Sequence, residues 1–223
     1  MKYALVFYVL GILLIIFSCN KFDLILFNFI IFWCGLSFLT LGIAYGGLGA
    51  RVFGKQKNGK ISKFSFGFLL PYLLLTWAVW HIQRLISKED CCNQIIPGIW
   101  LGRRVYVNEL PKNISLIVDL TAEFSEPINV ISGKTYICIP TLDTDVPSER
   151  AFYKLIETIS NWKGNIYIHC ALGHGRSATV VAGVLIVKGL VNNLEEAEKL
   201  LKTVRPKIKF SQAQKKLLNN FKF

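Results

Sequence analysis

Asn165-Ile166-Tyr167-Ile168-His169-Cys170-Ala171-Leu172-Gly173-His174-Gly175-Arg176-Ser177-Ala178-Thr179-Val180-Val181 is the stretch that decides the fold. It opens on β-formers in a buried-strand pattern, and Ser177 to Ile186 is an apolar run long enough for a helix. Between the two the chain must turn sharply. Gly173 and Gly175 allow backbone angles that other residues avoid, so successive N–H groups can point inward at the helix start and form a concavity for an anion. Arg176 adds a planar fork that can hold two oxygens of one phosphate, a geometry lysine lacks. Cys170 sits at the base of this loop. Aimed N–H dipoles and a guanidinium are expected to draw its thiol pKa from about 8.5 toward the roughly 3.5–7.5 range of activated cysteines. A thiolate beneath a bound phosphate is a nucleophile in place for phosphoryl transfer. The candidate phosphate-binding set is Ala171, Leu172, Gly173, His174, Gly175 and Arg176. His169 is expected to orient the loop by hydrogen bonding, and the Ser177 hydroxyl to stabilise the thiolate as it departs.

His-Cys-x5-Arg-Ser, from His169 to Ser177, resembles the signature of the cysteine-dependent protein tyrosine phosphatase superfamily. Arg176-Ser177-Ala178-Thr179 ahead of an apolar helix resembles its dual-specificity branch. The resemblance covers roughly Gln94 to Phe223. Gln94-Ile95-Ile96-Pro97-Gly98-Ile99-Trp100-Leu101-Gly102 is similar to that branch's opening run, and Leu194-Glu195-Glu196-Ala197-Glu198, Arg205-Pro206 and Gln212 to Leu218 are similar to its closing helices. A bare Cys-x5-Arg is weak; the histidine, the serine and both flanks make it specific. A rhodanese-like sulfur carrier also uses a cysteine loop, but it lacks the Arg-Ser exit and the downstream helices. The resemblance implies an α/β fold, a tyrosine-phosphatase-like central sheet flanked by helices. It also implies hydrolysis of phosphate monoesters through a cysteinyl-phosphate, without a metal or cofactor.

In this family an aspartic acid on a mobile loop protonates the leaving alcohol, and Ile139-Pro140-Thr141-Leu142-Asp143-Thr144-Asp145-Val146-Pro147 offers two. Asp143 better matches the family's spacing of strand, one or two residues, then acid. Asp145 is the second candidate, with a plainer reading as a turn residue before a helix at Pro147-Ser148. Asp119 and Glu123 follow a family strand and read as fixing a loop. Ile114 to Leu120, Thr135 to Pro140 and Asn165 to Cys170 read as strands. Ser148 to Trp162, Ser177 to Lys188, Asn193 to Val204 and Ser211 to Phe221 read as helices, the last opening on a Ser211/Gln214 capping box.

The front of the chain suits a different solvent. Phe22 to Tyr45 is about 24 nearly unbroken apolar residues and Phe64 to Ile82 about 19, against about 20 needed to cross a hydrocarbon core. Met1 to Cys19 is a third span or a signal-type segment, and Ile16-Phe17-Ser18-Cys19 resembles a lipoprotein cleavage box. Trp33, Trp77 and Trp80 suit membrane interfaces. The expected organisation is a transmembrane region over 1–89 with two or three helices, and a catalytic domain over 90–223. Arg51, Lys55, Lys57, Lys60 and Lys63 form a basic segment without an acid, which the positive-inside rule assigns to the cytoplasm. A further crossing through Phe64 to Ile82 then puts the catalytic domain on the extracytoplasmic face; a re-entrant turn at Pro71 returns it to the cytoplasm. The expected localisation is integral and multi-pass.

The formal charge of +12 at pH 7 raises nucleic acid as a partner, but the basic residues are scattered and no nucleic-acid motif accompanies them. Anionic lipid or a phosphorylated substrate accounts for the charge better. The six cysteines lack zinc-like spacing, and Cys138 is core or a protective disulfide partner for Cys170. In related inositol-lipid phosphatases, lysines commonly stand where this chain has Ala171 and His174. An inositol polyphosphate is therefore disfavoured. A phospholipid monoester such as phosphatidylglycerophosphate, or a phosphoprotein, is the expected substrate. A catalytically silent phosphate-binding membrane module is the other reading. The oligomeric state is not encoded in any motif.

Overall fold

The computed structural model describes residues 2–19 and 25–221. Phe22 to Leu24, the start of the second apolar segment, lie outside the described residues, as does Met1 at the head of the first. The chain divides into two compact units. The first comprises Met1–Gln56, Lys60–Ile86 and Ala122–Phe124; the second Lys57–Gly59, Ser87–Thr121 and Ser125–Phe223.

In the first unit, α1 (Lys2–Ser18) and α2 (Ile25–Ile43) form a close-packed pair. Glycines set the approach: a Cβ at Gly35 would meet Ile15 Cγ1 at 2.6 Å and Gly11 O at 2.9 Å. The helical path continues through a π turn, Ala44–Leu48, and a 3-10 turn, Gly49–Phe53. α3 (Lys63–Ile86) runs without a break through Pro71, so no re-entrant turn forms there. Pro71 has no N–H to give the preceding turn, and one turn away Trp33 Nε1 of α2 donates to Phe68 O at 3.1 Å. Ile25–Phe53 and Lys63–Ile86 are each long and apolar enough to cross a membrane, and less than a third of each is buried.

Two contacts join α3 to the 122–124 segment within the first unit. Trp77, near the middle of that helix, donates from Nε1 to Glu123 O at 3.0 Å, and the Trp80 ring lies 5.6 Å from Phe124. These two indoles are engaged by protein rather than by lipid headgroups. Glu126 N–H donates to Gly59 O at 2.9 Å within the second unit. Gly59 belongs to the basic segment.

The second unit is a five-stranded sheet ordered β1-β2-β5-β3-β4, with β1 Cys92–Ile96, β2 Ile99–Arg103, β3 Ile114–Thr121, β4 Thr135–Thr141 and β5 Asn165–Cys170. β1 and β2 form an antiparallel hairpin; every other pairing is parallel. Pro97-Gly98 joins the hairpin, with Gly98 at φ 83°, the backbone that a tight turn there requires. Strand alternation sorts the core. Leu116, Val118, Leu120, Ile166 and Ile168 pack with residues of α5 (Glu149–Ser160), α6 (Arg176–Val187), α7 (Leu194–Val204) and α8 (Gln212–Asn220), whereas Ile117 and Tyr167 join Val105 and Val130 in a smaller cluster. The short α4 (Ile128–Ile131) supplies Val130.

α6 is apolar on every side because it is buried throughout its first ten residues, Arg176 to Leu185. Phe152 of α5 packs so closely that a Cβ at Gly183 would meet its ring at 2.8 Å. Caps fix the other helices: Ser148 accepts from Ala151 N–H, Asn193 from Glu196 N–H, and Ser211 with Gln214 forms the expected capping box.

Candidate active site

β5 ends at Cys170 and α6 begins at Arg176, so the loop between them sits at the carboxyl edge of the parallel strands. No side chain caps α6 at Gly175, which leaves its first-turn N–H groups for a ligand. The loop carbonyls are held outward. Ala171 O accepts from Arg104 N–H and His174 O from Lys209 N–H, both at 3.2 Å, and Leu172 O accepts from Arg205 Nη2 at 3.2 Å. The described peptides are all trans, so each outward carbonyl turns the following N–H inward. Gly173 shows the result: its N–H points at Cys170 Sγ, 3.3 Å away.

Cys170 is buried, and its sulfur receives a second donor, the Ser177 hydroxyl at 3.2 Å. Gly173 has φ 80°, and a Cβ there would lie 2.6 Å from Gly102 C and 2.9 Å from Arg103 N. The loop is thus seated against β2 with no room for a side chain.

Arg176 is buried and donates from Nη1 to Thr141 O, at the end of β4, at 2.9 Å. Its Nη2 lies 3.5 Å from Asp143 Oδ1, while the Asp143 side chain is 71% exposed. One guanidinium therefore joins the phosphate loop to the loop bearing the candidate acid. Asp145 is placed differently: its N–H bonds Leu142 O, and its carbonyl accepts from Gln214 Nε2 at 3.3 Å. Thr144 between them holds φ 62°, a left-handed backbone that β-branched residues rarely adopt.

His169 is buried, with its ring stacked 5.6 Å from Tyr167. The loop expected of Asp119 is not what it holds: it accepts from Thr121 N–H, Thr121 Oγ1 and Tyr136 OH at 2.8, 2.7 and 2.6 Å, which ties the end of β3 to β4. Burial, and next the Asp119 charge, push the Tyr136 phenol far above its ordinary range. Asp119, Glu126 and His169 bring metal-capable atoms within 4.8 Å of one another. The Asp119 carboxylate is already taken by those three donors, and Arg104 Nε lies 3.3 Å from Glu126 Oε2. The cluster reads as a buried polar network.

Cys138 cannot protect Cys170. Asp119 on β3 pairs with Cys138 on one side and His169 on the other, so two strand spacings, about 9.6 Å, separate the two positions. A disulfide requires its Cα atoms within about 7 Å.

Sequence reasoning missed Glu89, Arg205 and Gln214 as neighbours of this site. His174 does not point freely into the loop: its Nε2 lies 2.5 Å from Glu89 Oε2, and Arg205 Nη2 lies 3.3 Å from the same oxygen. One signal was available. Glu89-Asp90 is the only acidic pair between Asp23 and Glu109.

Residues 105–222 match the family model described as dual specificity phosphatase, catalytic domain. The human dual specificity protein phosphatase 15 is 30% identical over 118 residues, half of this chain and 39% of that protein. The chain thus spans well under two thirds of that relative's length. Among solved structures, DUSP15 superposes with TM-score 0.51 at 23% identity, covering 59% of this chain and 87% of that one. PTPMT1 in complex with PI(5)P superposes with TM-score 0.50 at 21% identity, covering 58% and 93%. At these identities the structures establish a shared fold.

Proposed function

The chain belongs to the dual specificity phosphatase catalytic-domain family, whose members are phosphoric monoester hydrolases, and from that premise we propose that it hydrolyses phosphate monoesters through a phosphocysteine on Cys170. The observation that carries this reading is the doubly hydrogen-bonded sulfur beneath an uncapped helix start whose loop carbonyls are turned outward. The inward N–H groups and the Arg176 fork bind the dianion. The Cys170 thiolate attacks phosphorus, the ester P–O bond breaks, and Asp143 gives its proton to the leaving oxygen. Water then attacks the phosphocysteine, Asp143 takes its proton, and the S–P bond breaks to release phosphate. The sulfur recovers its charge facing Gly173 N–H and the Ser177 hydroxyl. His169, buried and stacked at the strand end, holds the loop base.

The substrate in this reading is a phospholipid monoester such as phosphatidylglycerophosphate, met at a membrane to which α1 and α2 bind. Leu5, Val6, Val9, Ile12, Leu13 and Ile16 of α1 are exposed, as are Ile25, Leu26, Phe29 and Ile30 of α2, a surface suited to hydrocarbon. The likeness to dual specificity protein phosphatase 15 supports a second reading, a phosphoprotein substrate.

Turnover of para-nitrophenyl phosphate by the full chain, abolished in Cys170→Ser, tests the chemistry; equal rates would end the hydrolase reading. Head-group screening of phospholipid monoesters against phosphopeptides decides between the substrates. Flotation with liposomes tests the membrane.

A further inference from the structure

We propose that Glu89 is a positioning residue that locks the rim of the phosphate loop through His174 and Arg205. The proposal rests on the reading of the Cys170 loop as the phosphate site. Glu89 lies ahead of residues 105–222, where the family match begins, and three residues past the end of α3. Its carboxylate is mostly buried and meets two cationic or cation-capable groups through one oxygen, His174 Nε2 at 2.5 Å and Arg205 Nη2 at 3.3 Å.

Arg205 is buried and divides its donors. Nη1 serves Asp90 O at 3.1 Å and Asn93 Oδ1 at 2.6 Å, while Nη2 serves Leu172 O at 3.2 Å as well as Glu89. The segment from Glu89 to Asn93 is thereby bound to the loop at two points, the Leu172 carbonyl and the His174 ring. The Leu172 carbonyl is the one whose outward turn aims Gly173 N–H at the sulfur. Removing Glu89 leaves a buried guanidinium without its only carboxylate partner among the described residues, and it frees the imidazole at the rim. Both changes loosen the inward N–H set that binds phosphate, without touching sulfur, Arg176 or Asp143. The engaged imidazole also has a substrate consequence. Glu89 engages the His174 ring, so the imidazole is committed to the rim and is not offered to a second phosphate.

The test compares Glu89→Ala, Glu89→Gln and His174→Ala in the full chain. Tungstate binding is measured in a Cys170→Ser background, and turnover of an aryl phosphate with the sulfur intact. Glu89→Ala is expected to weaken tungstate binding and raise KM by about 10-fold, the scale of a lost charged hydrogen bond, with a smaller change in kcat. Glu89→Gln keeps a hydrogen-bond acceptor and recovers part of the loss. In the Glu89→Ala chain, His174→Ala adds less than it does alone. Tungstate affinity within twofold of the parent for both Glu89 variants would overturn the proposal. If Glu89→Ala fails to give the parental circular dichroism, Glu89→Gln alone decides: parental tungstate affinity and KM refute, intermediate values support. An enzyme that hydrolyses nothing refutes the hydrolase reading, while the tungstate measurement still judges Glu89.

Discussion

Replacing Gly173 by alanine combines two costs that the structure separates. At φ 80° any L side chain is strained by about 1–2 kcal/mol. The new Cβ would also fall 2.6 Å from Gly102 C, 2.7 Å from Gly102 O and 2.9 Å from Arg103 N, all backbone atoms of β2. Those atoms cannot swing aside: Gly102 and Arg103 are paired to β5, and Arg103 N–H is bonded to Cys91 O at 2.9 Å. Relief must come from the loop, at an overpacking cost of about 1–3 kcal/mol. The sum is a destabilisation of about 2–5 kcal/mol. Gly133→Ala provides the control, because Gly133 has φ 71° with nothing within 4 Å of a Cβ, and it bears the conformational cost alone. Any loop shift also withdraws Gly173 N–H from Cys170 Sγ, so aryl phosphate turnover should fall about 10²–10³-fold, as when one oxyanion donor is deleted. Chemical denaturation of both variants, with turnover measured on each, is the assay. Equal destabilisation by the two substitutions, or parental turnover in Gly173→Ala, would refute the seating of the loop against β2.

Asp143→Ala should slow hydrolysis of alkyl phosphates by about 10²-fold while sparing substrates with good leaving groups; the same pattern from Asp145→Ala instead would transfer the acid role. Ser177→Ala removes one of two donors to the Cys170 sulfur, so phosphocysteine should accumulate and rapid mixing should show a burst, whose absence at unchanged turnover would contradict the assignment. Cys138→Ser should leave the rate of peroxide inactivation of Cys170 unchanged, and faster loss would mean the two thiols meet. The Glu198 carboxyl is held below its usual range by the Lys202 ammonium, 2.6 Å away. That stabilisation is present above the unfolded carboxyl pKa and is lost as pH falls through the folded one. Glu198→Gln should thus destabilise by about 0.3–0.5 kcal/mol at pH 7 and by nothing in strong acid; a pH-independent loss would exclude the ion pair.

Local pattern explains which parts of this chain can be read without coordinates. β3, β4 and β5 and the four helices after Ser148 announce themselves by periodicity and caps, and Ser211 with Gln214 forms the bond pair that its spacing implies. The β1–β2 hairpin does not: Cys92 to Ile96 has no alternating face, being half-buried at nearly every position. Gln214 is a sharper case. Its capping role is local and legible, but its second bond, to Asp145 O, joins residues 69 apart. Arg205 and Glu89 lie 116 residues apart, and no period connects them. The acid pair at 89–90 marks the place only once a buried arginine is known to sit beside it.

Hydropathy reads α3 as long and apolar enough to span, and apolar length reports what a helix avoids and not what covers it. The positive-inside argument counted crossings, and each crossing moved the catalytic domain to the other face. Glu126 N–H donates to Gly59 O, so Gly59 belongs with the catalytic unit. Gly59 is held firmly: at φ 79°, a Cβ would meet Tyr136 OH at 2.6 Å, and that hydroxyl is committed to Asp119. Near an anionic surface each basic residue contributes about 1 kcal/mol of attraction. In the proposed reading, the same charge that suggested a topology suits an anionic surface that presents a phospholipid monoester.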